Sequence, residues 1–173
     1  MLSENNFSLI FSNNGSFTAL FSPFRVKISS KFVPLLRQYY YVGGMPEAVT
    51  AFLDRGLLED AREVQLEILR GYERDISKHL SRTETEYALA AWNSIPSHLG
   101  RENKKFVFSH IASGARARNY QVGITWLAQA GIATRVRRVS KPGIPLAPYA
   151  DDTAFKLFLV DVGLLGASTR RRS

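Results

Sequence analysis

The feature that most constrains the fold is an amphipathic pattern between residues 57 and 80. Apolar residues recur there at spacings of three and four, the period of an α-helix. They are Leu57, Ala61, Val64, Ile68, Tyr72, Ile76 and Leu80, and charged residues, Arg62 among them, fill the other sides. A helix of this length needs partners to cover its apolar stripe. The pattern therefore predicts a mainly α-helical chain in which this helix packs on helices near 31–41 and 46–55.

The second half of the chain predicts another group of helices. Thr83 and Glu86 have the spacing of a capping box, and the helix that they begin is predicted to end at Pro96. A short helix near 106–112 and a longer helix near 115–130 follow. Two helices joined by a tight turn are the framework of a helix-turn-helix.

A two-stranded ribbon is predicted after the longer helix. Gly131 ends that helix, residues 132–139 alternate apolar and basic side chains, and residues 155–160 are expected to pair with them. The predicted fold class is mainly α, a helical subdomain followed by a winged helix-turn-helix with a small β-ribbon. The expected domains are a loosely structured lead-in at 1–30, the helical subdomain at 31–82, the winged-helix-like domain at 83–160 and a truncated tail at 161–173.

The net charge of +8 is concentrated in one block. Residues 101–141 contain nine lysines and arginines against the single acid Glu102. Such a block attracts polyanions, of which nucleic acid is the commonest. A solvated basic face, or one that docks an acidic protein, is the alternative.

The helix near 115–130 carries the candidate recognition surface. At about 100° per residue, Tyr120, Ile124 and Leu127 share one side, and the opposite side carries arginine and glutamine. These residue types pair with guanine and adenine, and arginines on the ribbon suit phosphate contacts. The predicted ligand is double-stranded DNA, and the predicted contact residues are Arg116, Arg118, Gln121, Thr125, Arg135, Arg137, Arg138 and Lys141.

The sequence shows no catalytic constellation. A phosphate-binding P-loop requires a Gly-Lys pair, and the chain contains none. The apolar segment ending at Asp161 is interpreted as an ordinary strand end, since a Walker B acid needs a P-loop beside it. His79, His98 and His110 lack the spacing of metal ligands. We therefore expect no metal, no cofactor and no enzymatic activity, and we predict that the chain neither binds nor hydrolyses ATP.

Composition also bears on the compartment. The chain has no cysteine, and no run approaches the roughly 20 apolar residues that cross a bilayer. The first ten residues lack the positive region of a signal peptide. A cytoplasmic protein without a membrane partner is expected.

Several segments resemble one family of known proteins. Tyr39–Val49 reads Tyr-Tyr-Tyr-Val-Gly-Gly-Met-Pro-Glu-Ala-Val, which is similar to a hallmark stretch of prokaryotic AAA-type ATP-binding proteins. Asp75–His79, Ser140–Leu146 and Phe155–Leu165 follow in the order that this family shows. In the family, the hallmark stretch comes after the ATPase module and opens a C-terminal domain of unknown function.

The resemblance implies a non-catalytic recognition or regulatory part of a prokaryotic AAA-type ATPase, without the P-loop module. It covers about residues 31–167, and no ATPase or nuclease residue of the family carries over to this sequence. The alternative is a protein-interaction module that docks the ATPase domain or an acidic partner.

Overall fold

Contacts within the chain divide it into two compact units, residues 1–41 and residues 42–173. The structure, a computed structural model, describes residues 9–11, 17–21, 24–28, 32–141 and 143–170. The last residues of the expected tail, 171–173, lie outside the described residues.

The first unit contains a small antiparallel sheet in the order β1 (Leu9–Phe11), β2 (Phe17–Phe21) and β3 (Phe24–Ile28). All of α1 (Phe32–Val42) except its last residue also belongs to this unit. The sequence predicts a loosely structured lead-in over 1–30, whereas the described parts of this segment are strands. Phenylalanine and β-branched residues favour strands, and β3 alternates apolar and basic residues.

Among its described residues, the second unit contains five α-helices. They are α2 (Pro46–Arg55), α3 (Leu58–His79), α4 (Arg82–Leu99), α5 (Ala117–Gln129) and α6 (Val162–Arg170). Pro46 lies in the first turn of α2, where its missing N–H costs nothing. Gly56 ends α2 with φ of 73°, in the left-handed region that favours glycine. The helices predicted at 46–55 and 57–80 are thereby confirmed.

The buried face of α3 differs in part from the predicted stripe. Ala61, Leu69 and Ile76 are buried, but Leu57 precedes the helix and is 55% exposed. Arg62, predicted to face solvent, is buried instead, because its Nη1 donates to Gly163 O at 3.0 Å. The tail helix α6 thus covers a polar part of α3.

Helix α4 begins with a capping box, but not at the predicted residues. The Ser81 hydroxyl accepts from Glu84 N–H at 3.4 Å, and Glu84 Oε2 accepts from Ser81 N–H at 3.1 Å. The prediction of Thr83 and Glu86 is therefore wrong by two residues. Pro96 does not end the helix either, since α4 continues to Leu99.

The ribbon consists of β4 (Ala133–Val139) and β5 (Ala150–Leu159), paired antiparallel. The prediction of a mainly α chain with a small two-stranded ribbon is therefore confirmed. The short helix expected over 106–112 is reduced to a 3₁₀ turn at Phe108–His110, and a second 3₁₀ turn, Ala147–Tyr149, precedes β5. The backbone before the first turn is extended, and Phe106 N–H donates to Phe155 O at 2.9 Å.

One apolar core joins α3, α4, α5 and α6 to the ribbon, and a separate small cluster of Val42, Ala48 and Ala61 packs α2 on α3. The apolar core contains Leu69, Ile95, Leu127, Leu157 and Leu164, one residue each from α3, α4, α5, β5 and α6. The boundary expected between residues 82 and 83 thus runs through a continuous core. In the part of the chain that the structure describes, no helix is long and apolar enough to cross a membrane.

Candidate nucleic-acid interface

Helix α5 packs against α4 with its apolar side. Tyr120, Ile124 and Leu127 are buried, which confirms the predicted inner side of the helix. The two helices approach closely at Gly123, since a Cβ there would lie 2.8 Å from the Cα of Ala88. This contact sets the rotation of α5 and therefore determines which side chains face outward.

The outward side of α5 carries three of the predicted contact residues, and a fourth lies at its N-cap. Arg116, at the N-cap, is exposed together with Arg118 and Gln121, while Thr125 is half-buried. Among the described residues, neither arginine forms an ion pair. No side chain caps the helix, and Asn119 N–H donates to Arg116 O at 3.0 Å, so an anion could be bound at this end only by the N–H groups of the first two helical residues.

Arg135 is withdrawn from the surface. It lies opposite Leu157 in the ribbon, and opposed residues share a face of the sheet, here the face that packs on the core. Its guanidinium lies 4.2 Å from the centroid of the Phe155 ring, and Nη2 donates to Asp152 O at 2.8 Å. With a side chain only 14% exposed, Arg135 supports the ribbon and is poorly placed for the phosphate contact that the sequence predicts.

Arg137 and Arg138 each meet an acid of β5. Arg137 Nη1 lies 3.1 Å from Asp152 Oδ1, and Arg138 Nη2 lies 2.6 Å from Asp151 Oδ2. Hydrogen bonds from the Thr153 hydroxyl and N–H, together with Arg138, lower the pKa of the Asp151 carboxyl to about 2. Both arginines keep donors for a further ligand, because a guanidinium has five N–H groups.

A basic groove of about 470 Å³ opens beside these arginines. The strand pairing shifts between Arg137 and Arg138, and this bulge lets two adjacent side chains line the same groove. The basic groove is defined by Asn103, Lys105, Val136, Arg137, Arg138, Ala154, Phe155 and Lys156. Its four cations come from three segments of the chain. Two of them, Lys105 and Lys156, are not among the predicted contact residues.

Buried aromatic rings hold the Lys105 side of the groove in place. The Phe106 ring stacks on Phe155 with centroids 5.3 Å apart and on the His98 imidazole with centroids 4.4 Å apart. His98 Nε2 lies 3.0 Å from Val107 O, which ties the extended segment to α4. The alternation around Phe106 therefore directs its neighbour Lys105 outward, where it is exposed.

The structure places the predicted contact residues in four locations. Arg118, Gln121 and Thr125 lie on the outward side of α5 with Arg116 at its N-cap, and Arg137 and Arg138 share the basic groove. Lys141 is exposed in the loop after β4, and Arg135 lies beneath the ribbon. The sequence signal for Lys156 was its alternation with the buried Phe155 and Leu157.

The Gly-Gly-Met-Pro stretch lies elsewhere and has a structural role. Gly44 N–H donates to Asp161 Oδ2 at 2.7 Å, and Leu164 N–H donates to Asp161 Oδ1 at 2.9 Å. Gly43, with φ of 74°, leaves no room for a Cβ beside that carboxylate. Gln65 Nε2 adds a bond of 2.7 Å to Val42 O. The acid at the end of β5 therefore joins the start of the second unit to α6.

The fold and these surfaces define a mainly helical protein with a basic two-stranded ribbon. The chain belongs to the family described as Domain of unknown function (DUF8612), whose model matches residues 33–173. No curated protein and no solved structure matches the chain.

Proposed function

We propose that α4, the 3₁₀ turn at Phe108–His110, α5 and the ribbon form a winged helix-turn-helix that binds duplex DNA. The observation that carries this proposal is the exposed surface formed by the N-cap and the outward side of α5. Arg116, Arg118 and Gln121 are exposed there, while the apolar side of the helix is buried. Arginine and glutamine form paired hydrogen bonds with guanine and adenine in the major groove. A rigid helix that presents them can read base edges.

In this proposal the four cations of the basic groove contact phosphates, and two of them, Lys105 and Lys156, lie outside the predicted set. Lys105 and Lys156 are exposed and form no ion pair among the described residues. Arg137 and Arg138 share the basic groove with them and are oriented by their aspartates. Each cation that neutralises a phosphate releases condensed counterions, so binding weakens as salt rises.

The resemblance to AAA-type ATP-binding proteins adds a biological role to the proposal. The DNA-binding surface would act as the non-catalytic recognition or regulatory part of such an ATPase. The Gly-Gly-Met-Pro stretch supports the folded unit through the hydrogen bond from Gly44 N–H to Asp161.

A protein-interaction module is the second candidate, favoured by one observation. Helix α1 exposes an apolar stripe at helical spacing, formed by Phe32, Leu35, Leu36, Tyr39 and Tyr40. Exposed apolar stripes of this kind are typical of protein contacts. Docking of the ATPase module or of another protein onto α1 is compatible with DNA binding by α5.

Duplex binding measured by fluorescence anisotropy over a salt series tests the main proposal. The proteins are the full chain, the double variant Arg116→Ala/Arg118→Ala, the double variant Lys105→Ala/Lys156→Ala and Arg55→Ala. Arg55 is exposed at the end of α2 and is the control for the loss of one positive charge. We expect both double variants to weaken binding and Arg55→Ala to leave it unchanged. Millimolar binding at low salt, or equal binding by all four proteins, would favour the interaction module.

A further inference from the structure

The loop between β4 and β5 has an exposed apolar tip, formed by Ile144 and Leu146. Ile144 is completely exposed, at 101% of its reference area, and Leu146 is 54% exposed. Residues 139–150 contain no acidic residue, and Lys141 is their one cation. Large aliphatic side chains that stay in water forgo the favourable free energy of burial. An apolar tip on a ribbon therefore points to a partner that covers it.

The loop is held together at its base, so that the apolar tip projects. Ser140 N–H donates to Tyr149 O at 2.9 Å and continues the pairing of the strands into the loop. The Tyr149 ring packs on Gly143, where a Cβ would lie 2.6 Å from Tyr149 Cε2. The contact between Gly143 and Tyr149 thus braces the loop, and Ile144 beside it is fully exposed.

The charges behind the tip indicate the chemistry of the partner. The ribbon and its loop, residues 133–159, carry two acids and five cations, and four of the cations, all except Arg135, are exposed. A surface that combines an apolar tip with neighbouring cations is complementary to a polyanion that has an apolar interior. Duplex DNA is such a polyanion, because its charged phosphates surround stacked bases. Its minor groove, about 6 Å wide, admits side chains. Isoleucine and leucine wedges that enter between base steps unstack them and bend the duplex.

We propose that the ribbon inserts Ile144 and Leu146 into the minor groove and bends the DNA to which it binds. This inference rests on the proposed function, because the cations of the ribbon must first engage the phosphates. It assigns a role to the apolar tip that neither the outward side of α5 nor the basic groove explains. The deformation energy is offset by the contacts that a bent duplex gains with the protein.

Energy transfer between dyes at the two ends of a short duplex measures the bend. The test compares the full chain with Ile144→Ser/Leu146→Ser, and Leu53→Ser on α2 is the control because that leucine is also exposed, at 73%. We expect the full chain and the control to bend the duplex by about 20–90°. The tip variant should still bind, but the bend should be lost. The fluorescence of 2-aminopurine at the central step should rise with the full chain and not with the tip variant.

The remaining outcomes separate this inference from the proposed function. A duplex that is bound but stays straight, or that the tip variant bends equally, overturns the inference and leaves DNA binding in place. Absence of duplex binding overturns both. Binding to phosphatidylserine vesicles that requires Ile144, with no bending of DNA, overturns the inference and identifies a lipid surface as the partner of the tip.

Discussion

The arginines of α5 and the arginines of the ribbon have the same chemistry in different surroundings. Arg116 and Arg118 are exposed with no acid beside them among the described residues. Arg135, Arg137 and Arg138 each lie within 4 Å of Asp151 or Asp152. A basic block in a sequence therefore overstates the charge available to a ligand when the acids that oppose it come from a distant strand. On the ribbon strands, Lys156 lies outside the predicted set and forms no ion pair among the described residues.

The largest effect should come from removing the support that orients α5. Ile124→Ala leaves a cavity in the core, and we expect it to lower the free energy of unfolding by about 2–5 kcal/mol. Val122→Ala is the matched control, since Val122 is half-exposed on the same helix. Thermal and urea unfolding measure both. Equal losses for the two variants would show that α5 is not held by its apolar side.

Arg135 and Arg118 provide the next test, because Arg135 supports the ribbon whereas Arg118 is exposed on α5. Arg135→Ala removes a ring contact and a hydrogen bond from a poorly exposed site, so we expect a loss of about 1–3 kcal/mol in unfolding free energy. Arg118→Ala should change it by less than about 0.5 kcal/mol. Urea unfolding distinguishes them. A stable Arg135→Ala variant with weakened DNA binding would return Arg135 to the interface.

Arg118 and Lys156 should differ in how they contribute to binding. Arg118→Ala should cost about 1–3 kcal/mol for a duplex in which it reads guanine, and less for other sequences. Lys156→Ala should weaken every duplex alike and lower the salt slope by about 1. Anisotropy with a panel of duplexes at several salt concentrations measures both effects. The same pattern of loss for the two variants would remove the distinction between α5 and the ribbon.

Acid should give the smallest effect, and the comparison of Asp151→Asn with the full chain isolates the part of it that Asp151 contributes. The folded-state pKa of Asp151 is about 2, below the unfolded value near 4. Its contribution to stability is therefore present above about pH 4 and is lost as pH falls towards 2. Asp151→Asn should flatten the pH dependence of unfolding in that window. Equal slopes for the variant and the full chain, measured by denaturant titration from pH 5 to pH 2, would contradict the assignment.

The sequence predicts elements best where the signals are local. Pro46 and Gly56 bound α2, and the period of α5 identifies Tyr120, Ile124 and Leu127 as its inner side. The predicted position of the capping box is wrong because Ser81-x-x-Glu84 and Thr83-x-x-Glu86 overlap in the sequence. Both have the required spacing, so spacing alone does not distinguish them. The strands within residues 9–28 are short, so a period of two has few repeats in which to be recognised.

The candidate site was harder to predict because its surroundings are not local. The pairing of Arg138 with Asp151 depends on the register of β4 against β5 and on the bulge between Arg137 and Arg138. The burial of Arg62 depends on α6, 101 residues away at Gly163. Counting charges along the chain cannot show either contact, whereas the rotation of one helix follows from its own period.

The hydrogen bond between Gly44 and Asp161 has a kinetic consequence. It joins residues 117 positions apart, so the chain between them must already be compact before the bond can form. We expect the bond to be absent from the folding transition state. Asp161→Ala should then accelerate unfolding and leave the folding rate nearly unchanged. Stopped-flow measurements of both limbs of the chevron test this, and a slower folding limb would place the closure of this long loop early.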